Sequence, residues 1–357
     1  MTEVSGLLSA TTKVICPDAV RLGRIMTEHL VEHGNEIVPV SETVWTLSSS
    51  SGDARIIADG GSLRIETSAP DAEMLLEMKY LLASHLGEFN HESGADILWQ
   101  GDGEEIASLP NLRSLKVLGI RDLSPHIRRI TFGSSKLKRF NTPLALHAKL
   151  LFPRDHAPLC LPSLTPIGTI DWGSDEERAI IRKYTIRRID PQSGTLDIDF
   201  VLHDHGGPGS RFAANAKVGD VLGMIGPGGG SARPADWNLF AGDETALPAI
   251  ARLIEALPAD ARGKAIIEVA DERDEQPICC STGIDIAWLH RSRSASPNEL
   301  AERVSSVRLP SNGSVFAWAG TEFSTFRKIR SDWRSFRRLP KEDHLAVSYW
   351  RDGHAQT

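Results

Sequence analysis

The pattern of this chain changes character near residue 232, and that change limits the architectures open to it. Between about 113 and 232 the apolar segments are short: 114–120, 127–132, 147–152, 180–188, 195–203 and 221–226, each bounded by Pro, Gly or Asp turns. Short strands so punctuated predict an antiparallel barrel of six strands. From about 235 to 357 strand signals (238–241, 264–269, 314–319, 345–350) alternate with helical ones (245–257, 298–304, 323–334). Alternation of that kind predicts a parallel sheet flanked by helices.

A third block precedes both. It runs to about 103 and ends in the polar segment Gln100-Gly-Asp-Gly-Glu-Glu105. Residues 17–33 read as a helix closed by Gly34, with Leu22, Met26, His29 and His33 on one stripe. Strand-like segments follow at 36–47, 54–58 and 62–67, and a second helix runs from about 70 towards 88. The expected fold is therefore multidomain α+β. Its parts are a small N-terminal α-β-β-β-α sandwich (1–103), an antiparallel β-barrel (113–232) and a parallel-sheet α/β domain (235–357).

Composition narrows the function classes. A chain of 357 residues with a net charge of −7 is a poor general binder of nucleic acid, which requires neutralised phosphates. Its apolar runs fall short of the ~20 residues that span a bilayer. The opening Met-Thr-Glu-Val-Ser-Gly lacks the basic and apolar regions of a secretory signal, so the cytoplasm is the expected compartment. Its 4 cysteines carry neither a disulfide framework nor a Cys-x-x-Cys metal spacing.

Chemistry concentrates in Arg182-Lys-Tyr-Thr-Ile-Arg187, then Asp199-Phe-Val-Leu-His203, then Gly206-Gly-Pro-Gly-Ser-Arg-Phe-Ala213. Strand alternation points Arg182 and Tyr184 one way and Thr185 the other. The ring can cover a flavin face, the hydroxyl can reach a flavin ring nitrogen, and the guanidinium can pair with pyrophosphate bidentately. The turn Gly207-Pro-Gly209-Ser210 opens a short helix, whose amino end favours the same phosphates. Taken alone, the turn indicates a phosphate-bearing cofactor.

From Arg182 to Gly230 the chain resembles the siderophore-interacting proteins, flavin-dependent ferric-siderophore reductases of the ferredoxin-reductase-like class. The resemblance extends through Val218-Gly-Asp220, Gly226-Pro-Gly-Gly-Gly230, Ala241-Gly-Asp-Glu-Thr-Ala-Leu-Pro-Ala249 and Tyr349-Trp-Arg-Asp-Gly353, about 113 to 357 in all. It implies FAD in the barrel and NADPH or NADH at the parallel sheet. It also implies hydride transfer to the flavin, single-electron reduction of Fe(III) held by a siderophore, and a monomer. It carries Val201 and His203 as further flavin contacts, and Thr185 as the residue that tunes the flavin. Asp243, Glu244, Thr245 and Ala246 become the nicotinamide-side turn, with the two acids near ribose or nicotinamide. Lys149 and Arg129 become candidate ligands of an anionic chelate. The first block resembles a small domain of unassigned function sometimes fused to this family.

Several features read two ways. Trp350 is either the aromatic that shields the flavin until nicotinamide displaces it or an edge-strand residue. Arg330 belongs to a basic run with Arg327, Lys328, Arg334, Arg337, Arg338 and Lys341, which either steers an anionic chelate or solvates a helix face. Arg291 and Arg293 are weaker candidates for a 2′-phosphate. His29 and His33, four apart on a helix, could join His85 and His91 as metal ligands, but satisfied half-buried histidines are the simpler reading. Ala319-Gly-Thr-Glu322 stands where the family reads Ala-Gly-Glu, so Thr321 is an insertion or marks a register change. Rival functions are a general flavin or ferredoxin-type reductase and a non-enzymatic ferric-chelate sensor.

Overall fold

Alternation and helical spacing produce two compact units, residues 1–112 with 160–178 and residues 113–159 with 179–357. The computed structural model describes residues 6–32, 35–49, 51–89, 97–103, 109–143, 145–154, 157–165, 170–203, 206–230, 232–279 and 283–353. Gly34, His33 and His91 lie outside the described residues. Among the described residues no helix is long and apolar enough to cross a membrane.

The first unit contains β1 (Leu8–Ile15), α1 (Ala19–Glu32), β2 (Glu36–Ser41), β3 (Val44–Ser49), β4 (Gly52–Asp59), β5 (Ser62–Ala69), α2 (Ala72–Phe89) and β6 (Trp99–Gly101). The strands form one antiparallel sheet in the order β2-β3-β4-β5-β1-β6. Leu22, Met26 and Leu30 recur every fourth residue of α1 and bury against Trp45, Leu47, Ile56, Leu63 and Ile65. Each such side chain contributes roughly 1.5–3 kcal/mol. The sequence reading of three strands here is corrected to six among the described residues. Segment 36–47 is a hairpin, and β1 escaped notice because Ala10, Thr12 and Val14 form a weak inward stripe. His29 packs at 5.2 Å from both the His85 and Phe89 rings.

The second unit opens with β7 (Leu112–Asp122), β8 (Ile127–Gly133) and β9 (His147–Phe152). The intervening hairpin β10 (Ser163–Leu164) and β11 (Ile170–Asp171) belongs to the first unit. The chain continues with β12 (Ile180–Thr185), β13 (Arg188–Asp190), β14 (Thr195–Val201), α3 (Pro208–Asn215) and β15 (Val221–Gly228). Seven of these strands form one sheet, ordered β12-β9-β15-β7-β8-β14-β13, around Leu115, Ile130, Phe132, Leu150, Phe152, Ile198, Phe200 and Met224. The single strand expected at 180–188 is in fact two. β12 pairs with β9 and β13 with β14, at opposite ends of the sheet order. The break falls at buried Arg187, whose guanidinium turns to Glu255 at 2.6 and 2.8 Å.

A parallel sheet follows, built from β16 (Trp237–Gly242), β17 (Arg262–Val269), β18 (Gly283–His290), β19 (Val315–Glu322) and β20 (His344–Trp350) in the order β18-β17-β16-β19-β20. Helices α4 (Leu247–Glu255), α5 (Glu299–Ser306) and α6 (Phe323–Ser331) accompany it. Central β16 is buried on both faces, as its near-continuous apolar run requires. The sequence reading omitted β18, an edge strand with one apolar side.

Two further joints among the described residues, beside the Arg187–Glu255 pair, hold the antiparallel and parallel sheets together. Arg252 of α4 donates to the carbonyls of Thr142, Leu146 and Ile186 at 2.7, 3.5 and 3.0 Å. Buried Asp274 accepts from the Ser124 hydroxyl at 2.6 Å and pairs with His126 Nδ1 at 2.7 Å.

Candidate functional site

Between β12 and the end of β20 lies a cleft of about 790 Å³, lined by His147, Lys149, Ile181, Arg182, Lys183, Tyr184, Thr185, Phe323, Val347, Ser348, Tyr349, Trp350 and Arg351. Paired β9 and β12 supply one side of it, and Arg182, Tyr184 and Thr185 all line it although alternation turns Thr185 away from the other two. Thr185 is buried beside Tyr349, whose burial pushes the phenol pKa upward while the Thr185 hydroxyl opposes the shift. The Tyr184 ring packs 4.6 Å from Phe200 and 6.0 Å from Phe152, and burial raises its pKa as well. Gly209 lies against that ring so closely that a Cβ would sit 1.8 Å from the Tyr184 hydroxyl.

That contact brings the amino end of α3 beside the strand that carries Arg182. Gly207 precedes the helix, and Arg211 N–H makes an early helical bond to the Gly207 carbonyl at 3.0 Å. The N–H groups of Gly209 and Ser210 therefore belong to the turn left without intrahelical acceptors. Ser210 Oγ accepts from His203 N–H at 3.0 Å and closes the loop after β14. His203 itself is exposed, and Val201, at the end of β14, is half-buried. Arg182 is half-buried, donates to the Ile181 carbonyl at 2.7 Å, and has no carboxylate partner among the described residues. Burial lowers its pKa from the usual guanidinium range. An uncompensated guanidinium beside a helix amino end fits a phosphate-bearing group.

The cleft's other charges share that sign. Lys149 and Lys183 are directly opposed in the β9–β12 register. His147 is held down to about 4 by burial, then by Lys183 and Lys149. Arg351 stacks 4.8 Å from the Phe323 ring. Lys183, His147, Phe323 and Arg351 were missed as individual site residues, whereas Tyr349 stands with Trp350 in the segment that resembles the family's shielding aromatic. Lys183 carried the recoverable signal, since it sits between Arg182 and Tyr184 on a strand read from sequence, whereas its register with Lys149 did not show there. Arg129 is not among the cleft-lining residues, because Asp199 holds it bidentately at 2.6 and 2.8 Å. Arg330 is exposed on α6, stacked 5.7 Å from the Phe326 ring and outside the cleft lining.

At the carboxyl end of β16, Asp243 is 2% exposed. Its Oδ1 accepts from Thr245 N–H at 3.0 Å and from the Thr245 hydroxyl at 2.5 Å. Its Oδ2 accepts from Glu322 N–H at 3.1 Å and from Trp350 Nε1–H at 2.9 Å. Burial pushes the Asp243 pKa up and Glu244 adds to the shift, while these donors oppose it. Glu244 receives both ends of the Arg291 guanidinium at 3.1 and 2.6 Å, and Arg291 also bonds Glu268. Arg293 pairs with Glu272 at 2.7 Å. Both acids of the turn are thus engaged by the chain itself, and Ala246 is buried at the start of α4. Thr321 is absorbed by a register shift: it faces Ser348, whereas Glu322 faces Trp350. The Glu322 carboxylate caps α6 through the N–H groups of Ser324 and Thr325.

Residues 235–353 match the family model described as siderophore-interacting protein, and residues 116–231 match that of the siderophore-interacting FAD-binding domain. The chain is 32% identical over 235 residues to the ferric vibriobactin reductase ViuB of Vibrio cholerae, covering 65% of this chain and 86% of that protein. It is 29% identical over 244 residues to the NADPH-dependent ferric-chelate reductase of Escherichia coli, covering 67% and 92%. Among solved structures, the siderophore-interacting protein SipS from Aeromonas hydrophila aligns with a TM-score of 0.60 at 34% identity, over 69% of this chain and 93% of that one. A siderophore utilization protein from T. fusca aligns with a TM-score of 0.59 at 35% identity, over 70% and 97%.

Proposed function

The chain belongs to the siderophore-interacting protein family, and from that premise we propose that it is an NADPH-dependent, FAD-containing reductase of ferric siderophores. The observation that carries the proposal is the sign of the cleft: Lys149, Arg182, Lys183 and Arg351 line it, and no Asp or Glu does among the described residues. Such a cleft suits two anionic partners, a flavin pyrophosphate and a ferric chelate.

Arg182 and the amino end of α3, with Gly207, Gly209 and Ser210, would hold the pyrophosphate. Tyr184 would cover one flavin face, with Val201 and His203 beside it. Thr185, buried beside Tyr349, would hold a ring nitrogen and so act on the flavin's potential. When bound, the flavin supplies the conversion of a two-electron hydride into single electrons that Fe(III) can accept. Lys149 and Lys183 draw the chelate towards the cleft, and Arg330 adds to that field from α6. The hard oxygen donors of a siderophore hold Fe(II) less strongly than Fe(III), so reduction releases the metal and spares the chelator.

We read the antiparallel sheet as the six-stranded flavin barrel, closed at the Ile186-Arg187 corner with β13 as a short extension. The domains are read as 1–103, 113–232 and 235–357, in a cytoplasmic monomer. Extraction and mass analysis of the purified protein's cofactor test the proposal. FAD that loses its yellow colour with NADPH under anaerobic conditions supports it, and protein that carries no flavin when supplied with FAD refutes it.

A further inference from the structure

One carboxylate ties together the carboxyl ends of three neighbouring strands. Asp243 follows β16, Glu322 ends β19 and Trp350 ends β20, and the last two donate to the same Oδ2 at 3.1 and 2.9 Å. Thr245 fills Oδ1 twice. A carboxylate offers about four acceptor positions, so Asp243 is saturated by its own chain. Strand carboxyl ends are where open α/β sheets receive ligands, and Trp350 also lines the cleft beside Tyr349. The indole is 37% exposed and ends an edge strand, one residue past the register break opposite Thr321. It is therefore the member of this network with the freest path to move.

We propose that Asp243 is a positioning residue and not a dinucleotide ligand: its carboxylate latches the Trp350 indole across the route by which nicotinamide reaches the cleft. The inference rests on the reductase reading above. Binding of the dinucleotide breaks one hydrogen bond, indole N–H to Asp243 Oδ2, and leaves the Thr245 and Glu322 bonds in place. Glu244 is held by Arg291, so the neighbouring acid does not substitute for Asp243.

Calorimetric titration of the full chain with NADP⁺ tests this, because it reads binding whether or not flavin is loaded. The set is wild type, Trp350→Phe, Asp243→Asn and the double variant. Trp350→Phe keeps a ring but loses the N–H, and should tighten NADP⁺ about tenfold, the factor carried by one hydrogen bond to a charged acceptor. In the Trp350→Phe background, Asp243→Asn should then leave the affinity unchanged, since the two residues act through one bond. Unchanged affinity in Trp350→Phe overturns the latch. So does an Asp243→Asn loss of equal size in both backgrounds, the mark of a direct ligand. Should Asp243→Asn fail to fold, Trp350→Phe still decides through the first comparison. Flavin content separates the two readings: a flavin-free protein sinks the reductase, whereas a flavin-loaded protein with unaltered NADP⁺ affinity sinks only the latch.

Discussion

Gly209→Ala perturbs the packing that shapes the cleft. The new Cβ would lie 1.8, 2.6 and 3.0 Å from the hydroxyl, Cζ and Cε2 of Tyr184. Tyr184 cannot retreat into the core, where its ring meets Phe200 and Phe152, both of which pack on Phe212 at 6.3 and 5.7 Å. Relief requires rotation into the cleft, the space assigned to the flavin. Overpacking costs about 1–3 kcal/mol. Two lost aromatic contacts add about 0.5–1.5 kcal/mol each. Alanine's better helix propensity offsets about 1 kcal/mol. The net loss is about 1–5 kcal/mol; a central 3 kcal/mol lowers the melting temperature by roughly 6–12 °C in a unit of this size. Thermal unfolding with and without FAD, plus FAD titration, reads both effects. Adding Tyr184→Phe removes the atom of the shortest contact and should restore part of the loss. A Gly209→Ala protein that melts and binds FAD like the wild type would refute the reasoning.

Arg182→Leu should weaken FAD by roughly 10–100-fold while leaving riboflavin affinity unchanged, as flavin-fluorescence titration will show; an equal loss for riboflavin would contradict a phosphate role. Lys149→Gln and Lys183→Gln should each raise KM for an anionic ferric chelate severalfold at low salt. The difference from wild type should fade towards ~1 M salt, where the Debye length is about 3 Å, and a salt-independent difference would argue against steering. His147 titrates near 4 when folded and near ~6.5 when unfolded. Between those values the unfolded chain takes up a proton that the folded one refuses, so its stabilisation is complete above ~6.5 and lost as pH falls to about 4. His147→Gln should flatten that part of the urea-midpoint profile, and an unaltered slope would count against the assignment.

What could be read in the sequence was local or periodic. Arg182, Tyr184 and Thr185 all line the cleft as near neighbours on β12, and Gly209 marks a close approach only three residues from the first glycine of its turn, at 206. The parallel sheet followed from alternation, and central β16 from its apolar run. Long-range partners were invisible. Arg129 read as a free cation because Asp199, 70 residues away, lies opposite it across the β8–β14 pair. Asp243, expected near ribose or nicotinamide, accepts from Glu322 and Trp350, which lie 79 and 107 residues further on and could not be paired with it from the sequence. Thr321 announced a register change, but its absorption at Tyr349 depends on pairing with β20. In the first unit, β1 carries small and polar residues on its inward stripe, and only its pairing with β5 and β6 makes it a strand.

The central claim is that electrons pass from NADPH through the flavin in this cleft to chelated iron, and anaerobic reoxidation of the reduced protein tests it most directly. Protein bleached with one equivalent of NADPH is mixed with a panel of ferric siderophores and simple ferric chelates, while a ferrous trap follows the released metal. The account predicts return of the yellow colour, two ferrous ions per NADPH, and rates that depend on the chelator. Recolouring no faster than in buffer alone, or bleached protein that yields no ferrous iron, would contradict it.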